Sequence, residues 1–366
     1  MRKNSEISIY DVISQTRFPL IVLVTYAHSY GAVADNYSLL FSDWNTYEFL
    51  KLLISQTLSK IAVPSFFLMS GYLFFANVEN WTWQAYRKKI VRRLQTLLLP
   101  YVLWNLLMAY KLRVWGWKVF WVFWSHVGVQ NDIFGSEQWM TAPANMPLWF
   151  LRDLMVVSLA SPIIYWGVRK MKIWLILLLS VCYFIGSYAF IPGLSMYSLY
   201  FFTIGTFLCV WKKDIIWYVR SREVPLYVFA ALSGVAMMVT YRSEVFTSFL
   251  LVFRVVGTIA FFAFAVHILS STSRRLPLLL SASSYFIYLA HYVLFFSIID
   301  TAIQWLLGDT ATWALCLHYL LAPLVKVVIF VILFFIYYHI KKRIRVFFRF
   351  FYKKVVPLHS KREKID

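Results

Sequence analysis

Ten apolar stretches set the terms for this chain. They fall at roughly 17–34, 57–76, 96–114, 147–166, 173–191, 196–211, 225–241, 246–269, 282–306 and 311–339. A hydrocarbon core is about 30 Å thick, and a helix crosses it in about 20 residues. Backbone groups inside lipid have no water to bond, so only helices and closed barrels cross, and runs this long predict helices. The expected fold is all-α: a polytopic integral membrane protein of about ten transmembrane helices. The sixth stretch is short and reads as tilted or partly re-entrant. Residues 1–16 form a short polar head, 17–339 the membrane domain and 340–366 a basic tail. Composition agrees, with 61% of residues hydrophobic and 14% charged. A soluble domain has about 45–50% apolar and about 25% charged residues, so that class is excluded.

The net charge of +20 raises nucleic acid as a partner, and the placement of the cations argues against it. With the N-terminus in the cytoplasm, the cytoplasmic segments carry Arg2, Lys3 and Arg17, then Arg87, Lys88, Lys89, Arg92 and Arg93. Next come Arg169, Lys170 and Lys172, then Lys212, Lys213, Arg220 and Arg222, then Arg274 and Arg275, and a dense run from Lys341 to Lys364. The other side carries Lys51, Lys111, Arg113, Lys118 and Arg242. This is the positive-inside bias. It puts both termini in the cytoplasm and makes the charge topogenic. The tail 340–356 mixes basic and aromatic residues, and reads as an amphipathic extension on anionic membrane lipids. Ala32-Val33-Ala34 resembles a cleavage site, but the first apolar stretch is read as retained because it carries an embedded arginine and histidine.

Those two residues are Arg17 and His28. In a helix the eleven-residue spacing makes about three turns, so they share a face roughly 16 Å apart along the axis. With Arg17 at the surface, His28 lies near mid-membrane, where an ionisable residue marks a functional site or a costly packing contact. His291 in the ninth stretch is reached from the same side at roughly 13 Å. Tyr288, three residues earlier, shares its face. Two histidines at one level could line one cavity if their helices are neighbours. Arg87 to Arg93 holds five cations in seven residues, which suits a multiply phosphorylated ligand as well as topology. Arg152 and Asp153 are adjacent, do not face each other on a helix, and are expected to find separate partners. Arg254 and Lys326 are further embedded charges. Outer-loop Asp35, Asp43, Glu48, His126, Asp132 and Glu137 could shape a polar acceptor site. Cys182, Cys209 and Cys316 lack metal-ligand spacing and read as small core residues. No metal is expected.

These motifs resemble the acyltransferase-3 family of bacterial integral-membrane O-acyltransferases, over nearly the whole chain. Arg17-X10-His28 fits the family's first-span motif. Phe66-Phe67-Leu68-Met69-Ser70-Gly71-Tyr72 looks like its second-span signature, and Thr96 to Asn105, with Pro100-Tyr101, like its third-span entry. Pro147 to Leu154 and Tyr285 to His291 look like its fourth and ninth spans. One departure stands out. The family often has Arg-X-X-Arg before the third span, where this chain reads Arg93-Leu94-Gln95-Thr96, with Lys89-Ile90-Val91-Arg92 one turn earlier.

The resemblance implies transfer of an acyl group, usually acetyl, from cytoplasmic acyl-CoA to a hydroxyl of an envelope polysaccharide or lipid-linked sugar, by a multi-pass protein of the bacterial inner membrane. With that reaction, the residue reading takes Arg17 and His28 as catalytic residues, Lys89, Arg92 and Arg93 as donor binders, and Tyr288, His291, Arg152 and Asp153 as cavity residues. His28 would act as general base or carry the acyl group covalently. The alternative is a transporter or flippase for a lipid-linked sugar. Such proteins often carry repeats with broken helices at matching positions, and Arg17-X10-His28 has no counterpart in the second half. A receptor or scaffold would leave the embedded histidine unexplained.

Overall fold

The computed structural model describes residues 7–29, 33–78, 80–114, 116, 123, 126–131, 137–141, 143–186, 193–272, 274–294, 296–308 and 310–355. Arg2, Lys3, Lys118, Asp132 and the end of the tail lie outside the described residues, as do the side chains of His126 and Glu137.

Helix α1 runs Ile9–Ser29. It starts earlier than the sequence predicts because Ser8 caps it. Asp11 N–H donates to Ser8 Oγ at 3.2 Å, and Ser8 Oγ and N–H donate to Asp11 Oδ2 at 2.7 and 3.0 Å. This reciprocal cap satisfies otherwise orphaned donors. The Ser8 hydroxyl bond, aided by the Ser8 backbone, holds the Asp11 carboxyl below the usual carboxylate range. The second predicted span is α2 (Thr46–Leu50), a π segment (Lys51–Thr57), a 3₁₀ turn (Leu58–Ile61) and α3 (Ala62–Phe75). Then come α4 (Trp83–Arg93) and, through a π turn, α5 (Leu99–Lys111). A short antiparallel hairpin, β1 (His126–Asn131) and β2 (Glu137–Thr141), lies in the segment between α5 and the fourth predicted span.

The fourth predicted span is two helices, α6 (Trp149–Leu159) and α7 (Ser161–Met171), bent by 61°. Pro162 has no N–H to donate and disfavours helix in the residue before it. Helices α8 (Ile173–Ile185), α9 (Met196–Val210), α10 (Ile215–Arg220), α11 (Glu223–Val239) and α12 (Phe246–Ser271) follow. The ninth predicted span is also broken: α13 (Leu278–Ala290) stops, and α14 (Phe296–Leu307) begins after a turn. Helix α15 runs unbroken from Thr312 to Val355, so the predicted boundary at residue 340 falls inside a helix.

Among the described residues, three helical segments are long and apolar enough to cross a membrane: Thr46–Phe75, Phe246–Ser271 and Thr312–Lys341. The bent pair α6–α7 makes a fourth if it is one span, and five shorter apolar helices accompany them. This is a membrane protein. The tightest seam joins α3 and α9, where a Cβ on Gly71 would overlap the carbonyl of Phe202 and one on Gly205 that of Leu68. Small residues at such crossings let helix backbones meet directly. Backbone cannot give way as a side chain does. Gly71→Val should therefore lower the thermal unfolding midpoint of the detergent-purified protein, by a cost of about 1–3 kcal/mol or more. A control substitution at the exposed Val228 on α11 should leave the midpoint unchanged.

Candidate active site

Helices α1 and α13 are neighbours and run parallel. At one end Gln15 Nε2 donates to Leu276 O at 3.2 Å, and Leu276 N–H donates to Gln15 Oε1 at 2.6 Å. At the other end the rings of His28 and His291 lie 5.2 Å apart, centroid to centroid. The two histidines named from the sequence thus meet, at the last turn of α1 and just past the end of α13. Tyr288 and Tyr292 flank them, at 6.2 Å from His291 and 6.3 Å from His28.

The tautomers follow from the backbone. His28 Nδ1 sits 2.9 Å from Val24 O, and His291 Nδ1 sits 2.8 Å from Tyr288 O. A carbonyl only accepts, so each neutral ring carries its proton on Nδ1 and keeps its lone pair on Nε2. His291 Nε2 is buried and makes no hydrogen bond among the described residues. The site therefore offers two oriented basic nitrogens in a low-dielectric interior.

Its depth follows from α15. Lys326 lies within electrostatic reach of His291. It is 14 residues after Thr312 and 15 before Lys341, at the middle of that membrane-length segment. Fully buried, it pairs with Asp300 of α14 at 2.8 Å. Around the histidines regular backbone gives out: α1 ends, the chain breaks between α13 and α14, and the π and 3₁₀ segments at 51–61 pack on α1. Irregular backbone at membrane depth is tolerated where protein covers it or a cavity needs it. Ser55 fastens this region, donating to Tyr26 O at 2.9 Å and sharing a 2.7 Å hydroxyl contact with Tyr319. The Tyr26 hydroxyl donates to Leu320 O at 2.7 Å.

Arg17 stands two turns into α1 and is half-buried, with no hydrogen bond or ion pair among the described residues. The other expected donor binders divide. Lys89 donates to Phe74 O and, at 3.1 Å, to Ala76 O; Arg93 donates to Ser70 O at 3.3 Å. Both lie over the Phe74 ring. They cap the carbonyl end of α3, where cations are favoured. Burial under that end, with Arg93 nearby, draws the Lys89 ammonium below its usual range. Arg92 is exposed and its side chain makes no such contact.

Arg152 and Asp153 pair with each other, contrary to the sequence expectation, at 3.1 Å from Arg152 Nη2 to Asp153 Oδ1. Adjacent side chains diverge from Cα, but the long arginine folds back, and Ser195 holds the other carboxylate oxygen at 2.7 Å. Tyr288 donates to Pro147 O at 2.5 Å, tying α13 to the start of the fourth span. The outer acids are committed elsewhere: Glu48 to Lys51 at 3.0 Å and to Ala34 N–H at 2.8 Å, Asp35 to Arg242 at 2.5 Å. Arg254 lies over Tyr197, 4.8 Å from the ring centre. The sequence reading missed Lys60 and Asp300, although each is a charge inside or beside a predicted apolar stretch. Among the described residues no three His, Cys, Asp or Glu side chains gather as a metal set.

The model of an acyltransferase domain, acyltransferase-3, matches residues 13–339. The chain belongs to this acyltransferase family. It is also similar to the succinoglycan biosynthesis protein ExoH of Rhizobium meliloti (strain 1021), 28% identical over 161 residues. That stretch covers 40% of this chain and 38% of the relative's length. No solved structure matches the chain.

Asp153→Ala would take the carboxylate away from a buried guanidinium. It should destabilise the fold by about 3–5 kcal/mol, read as a lowered melting midpoint. Lys89→Met should also lower the midpoint, because it uncaps α3. Arg92→Ala should leave it unchanged, because the exposed Arg92 caps no helix.

Proposed function

We propose that this protein is a multi-pass acyltransferase of the bacterial inner membrane, with ten crossings and both termini cytoplasmic. It moves an acyl group, acetyl first among candidates, from cytoplasmic acyl-CoA to a hydroxyl of an envelope polysaccharide or lipid-linked sugar. The observation that carries this reading is the meeting of His28 and His291, with His28 on the same helix as Arg17, which has no ion pair among the described residues.

Arg17, and Arg92 at the membrane surface, supply positive charge for the phosphates of CoA, which cations bind strongly. The pantetheine arm then runs along α1 and brings the thioester to His28. The His28 Nε2 lone pair accepts the proton of the acceptor hydroxyl as its oxygen attacks the thioester carbonyl. The C–S bond breaks, and the departing thiolate takes that proton from the imidazolium. The products are an ester and free CoA thiol. His291 buries the second imidazole beside this proton transfer and limits where the acceptor can sit. A glycan acceptor is supported by the relative, whose name places it in polysaccharide biosynthesis. The transport alternative has the break between α13 and α14 in its favour, while membership of an acyltransferase family favours the enzyme.

Inside-out membrane vesicles test this. Acetyl-CoA should release thiol, and His28→Ala should lower the rate by about 10²–10⁴-fold, the range for a lost general base. Arg17→Ala should act mainly on the KM for acetyl-CoA. No thiol release from a panel of acyl-CoAs, with crude envelope glycan present, would sink the enzyme reading. A mass increment retained on His28 after a single exposure would assign the covalent route in place of direct transfer.

A further inference from the structure

Among the described residues, Lys60 joins none of the hydrogen bonds or ion pairs that hold the protein together. It sits in the 3₁₀ turn Leu58–Ile61, 14 residues after Thr46 and 15 before Phe75 in a membrane-length helical segment. It is therefore at the middle of that segment. It makes no hydrogen bond or ion pair among the described residues. Among the described residues no carboxylate pairs with it. The 3₁₀ turn packs on α1 and α12, and His28 on the first and Arg254 on the second lie within electrostatic reach of it. The other embedded lysine, Lys326, is held by Asp300 at 2.8 Å, which shows what neutralising a lysine at this depth takes.

A half-buried ammonium inside a membrane-length segment, with no carboxylate on it among the described residues, is costly, so its retention beside a reactive imidazole calls for a charge that arrives with the reaction. We infer that Lys60 is a catalytic residue that stabilises the oxyanion formed when the thioester carbonyl is attacked beside His28. This rests on the proposed acyl transfer. The bound thioester is neutral. As the acceptor oxygen bonds to the carbonyl carbon, the C=O π pair moves onto the carbonyl oxygen, which becomes negative and faces the Lys60 ammonium. When the C=O bond re-forms, the C–S bond breaks and the charge leaves with sulfur, to be quenched by the proton on His28. A cation with no carboxylate partner among the described residues therefore favours the transition state over the bound substrate, the condition for lowering the barrier. Arg254 reinforces the field from behind, and Tyr197 beneath its guanidinium holds it in place.

The test measures acetyl-CoA-dependent thiol release by the full-length protein in inside-out vesicles, for wild type, His28→Ala, Lys60→Met, Lys60→Arg and Lys60→Cys. Losing one oxyanion donor costs about 10²–10³ in kcat. Lys60→Met should show that loss with the KM for acetyl-CoA nearly unchanged, and Lys60→Arg should recover most of it. Alkylating Lys60→Cys with 2-bromoethylamine rebuilds an ammonium one thioether away and should raise its rate at least tenfold, against wild type treated in parallel. That arm stands even if the methionine variant fails to fold. A Lys60→Met kcat within threefold of wild type, or no gain from alkylation, would overturn the assignment while an inactive His28→Ala leaves the enzyme reading intact. If wild type itself releases no thiol, it is the acyl-transfer reading that fails.

Discussion

A helix can stop at mid-membrane only where other protein covers its end, because its last carbonyls have no water to turn to. That constraint organises this structure. The last turn of α1 and the end of α13 arrive at the same level, and each places a histidine there. Each Nδ1–H returns to a carbonyl of its own helix, Val24 or Tyr288, and Tyr288 is among the last carbonyls of α13. At His291 the bond that helps close the helix end also orients the ring and frees the opposite nitrogen. At His28 the bond orients the ring alone.

The basic segment 87–93 shows how one sequence feature serves two ends. Lys89 and Arg93 lie four residues apart on one face of α4, and that face meets the carbonyl end of α3. Arg92 points elsewhere and stays exposed. A cation count cannot separate these roles, because every member satisfies the positive-inside bias equally well. Only the return of the chain over α3 distinguishes a cap from a charge left available to a ligand.

Much of the architecture was legible in the residues. Each predicted apolar stretch holds helix, and the depths reckoned for His28 and His291 from opposite halves of the chain agree with their contact. What could not be read was adjacency between helices, which depends on packing far apart in sequence. The break after Ala290 was hidden because Tyr292 to Phe296 is as apolar as the spans around it, and hydropathy does not register where a helix stops inside protein. The Arg152–Asp153 pair was hidden for a different reason. Side-chain facing is judged from Cβ directions, while arginine is long enough to double back. Lys60 and Asp300 were passed over because an isolated charge in an apolar run is diluted by its neighbours in any windowed reading.

The glycine seam between α3 and α9 has a mechanical consequence. Where backbone touches backbone there are no rotamers to yield, so these two helices form a single stiff body, and any widening that admits a substrate or releases a product must be taken up elsewhere. The pliable joints are the knee at Ala160, the gap between α13 and α14, and the wound-out turns at 51–61. Two of these three border the histidines. The protein is rigid at the seam and compliant where its substrates must come and go.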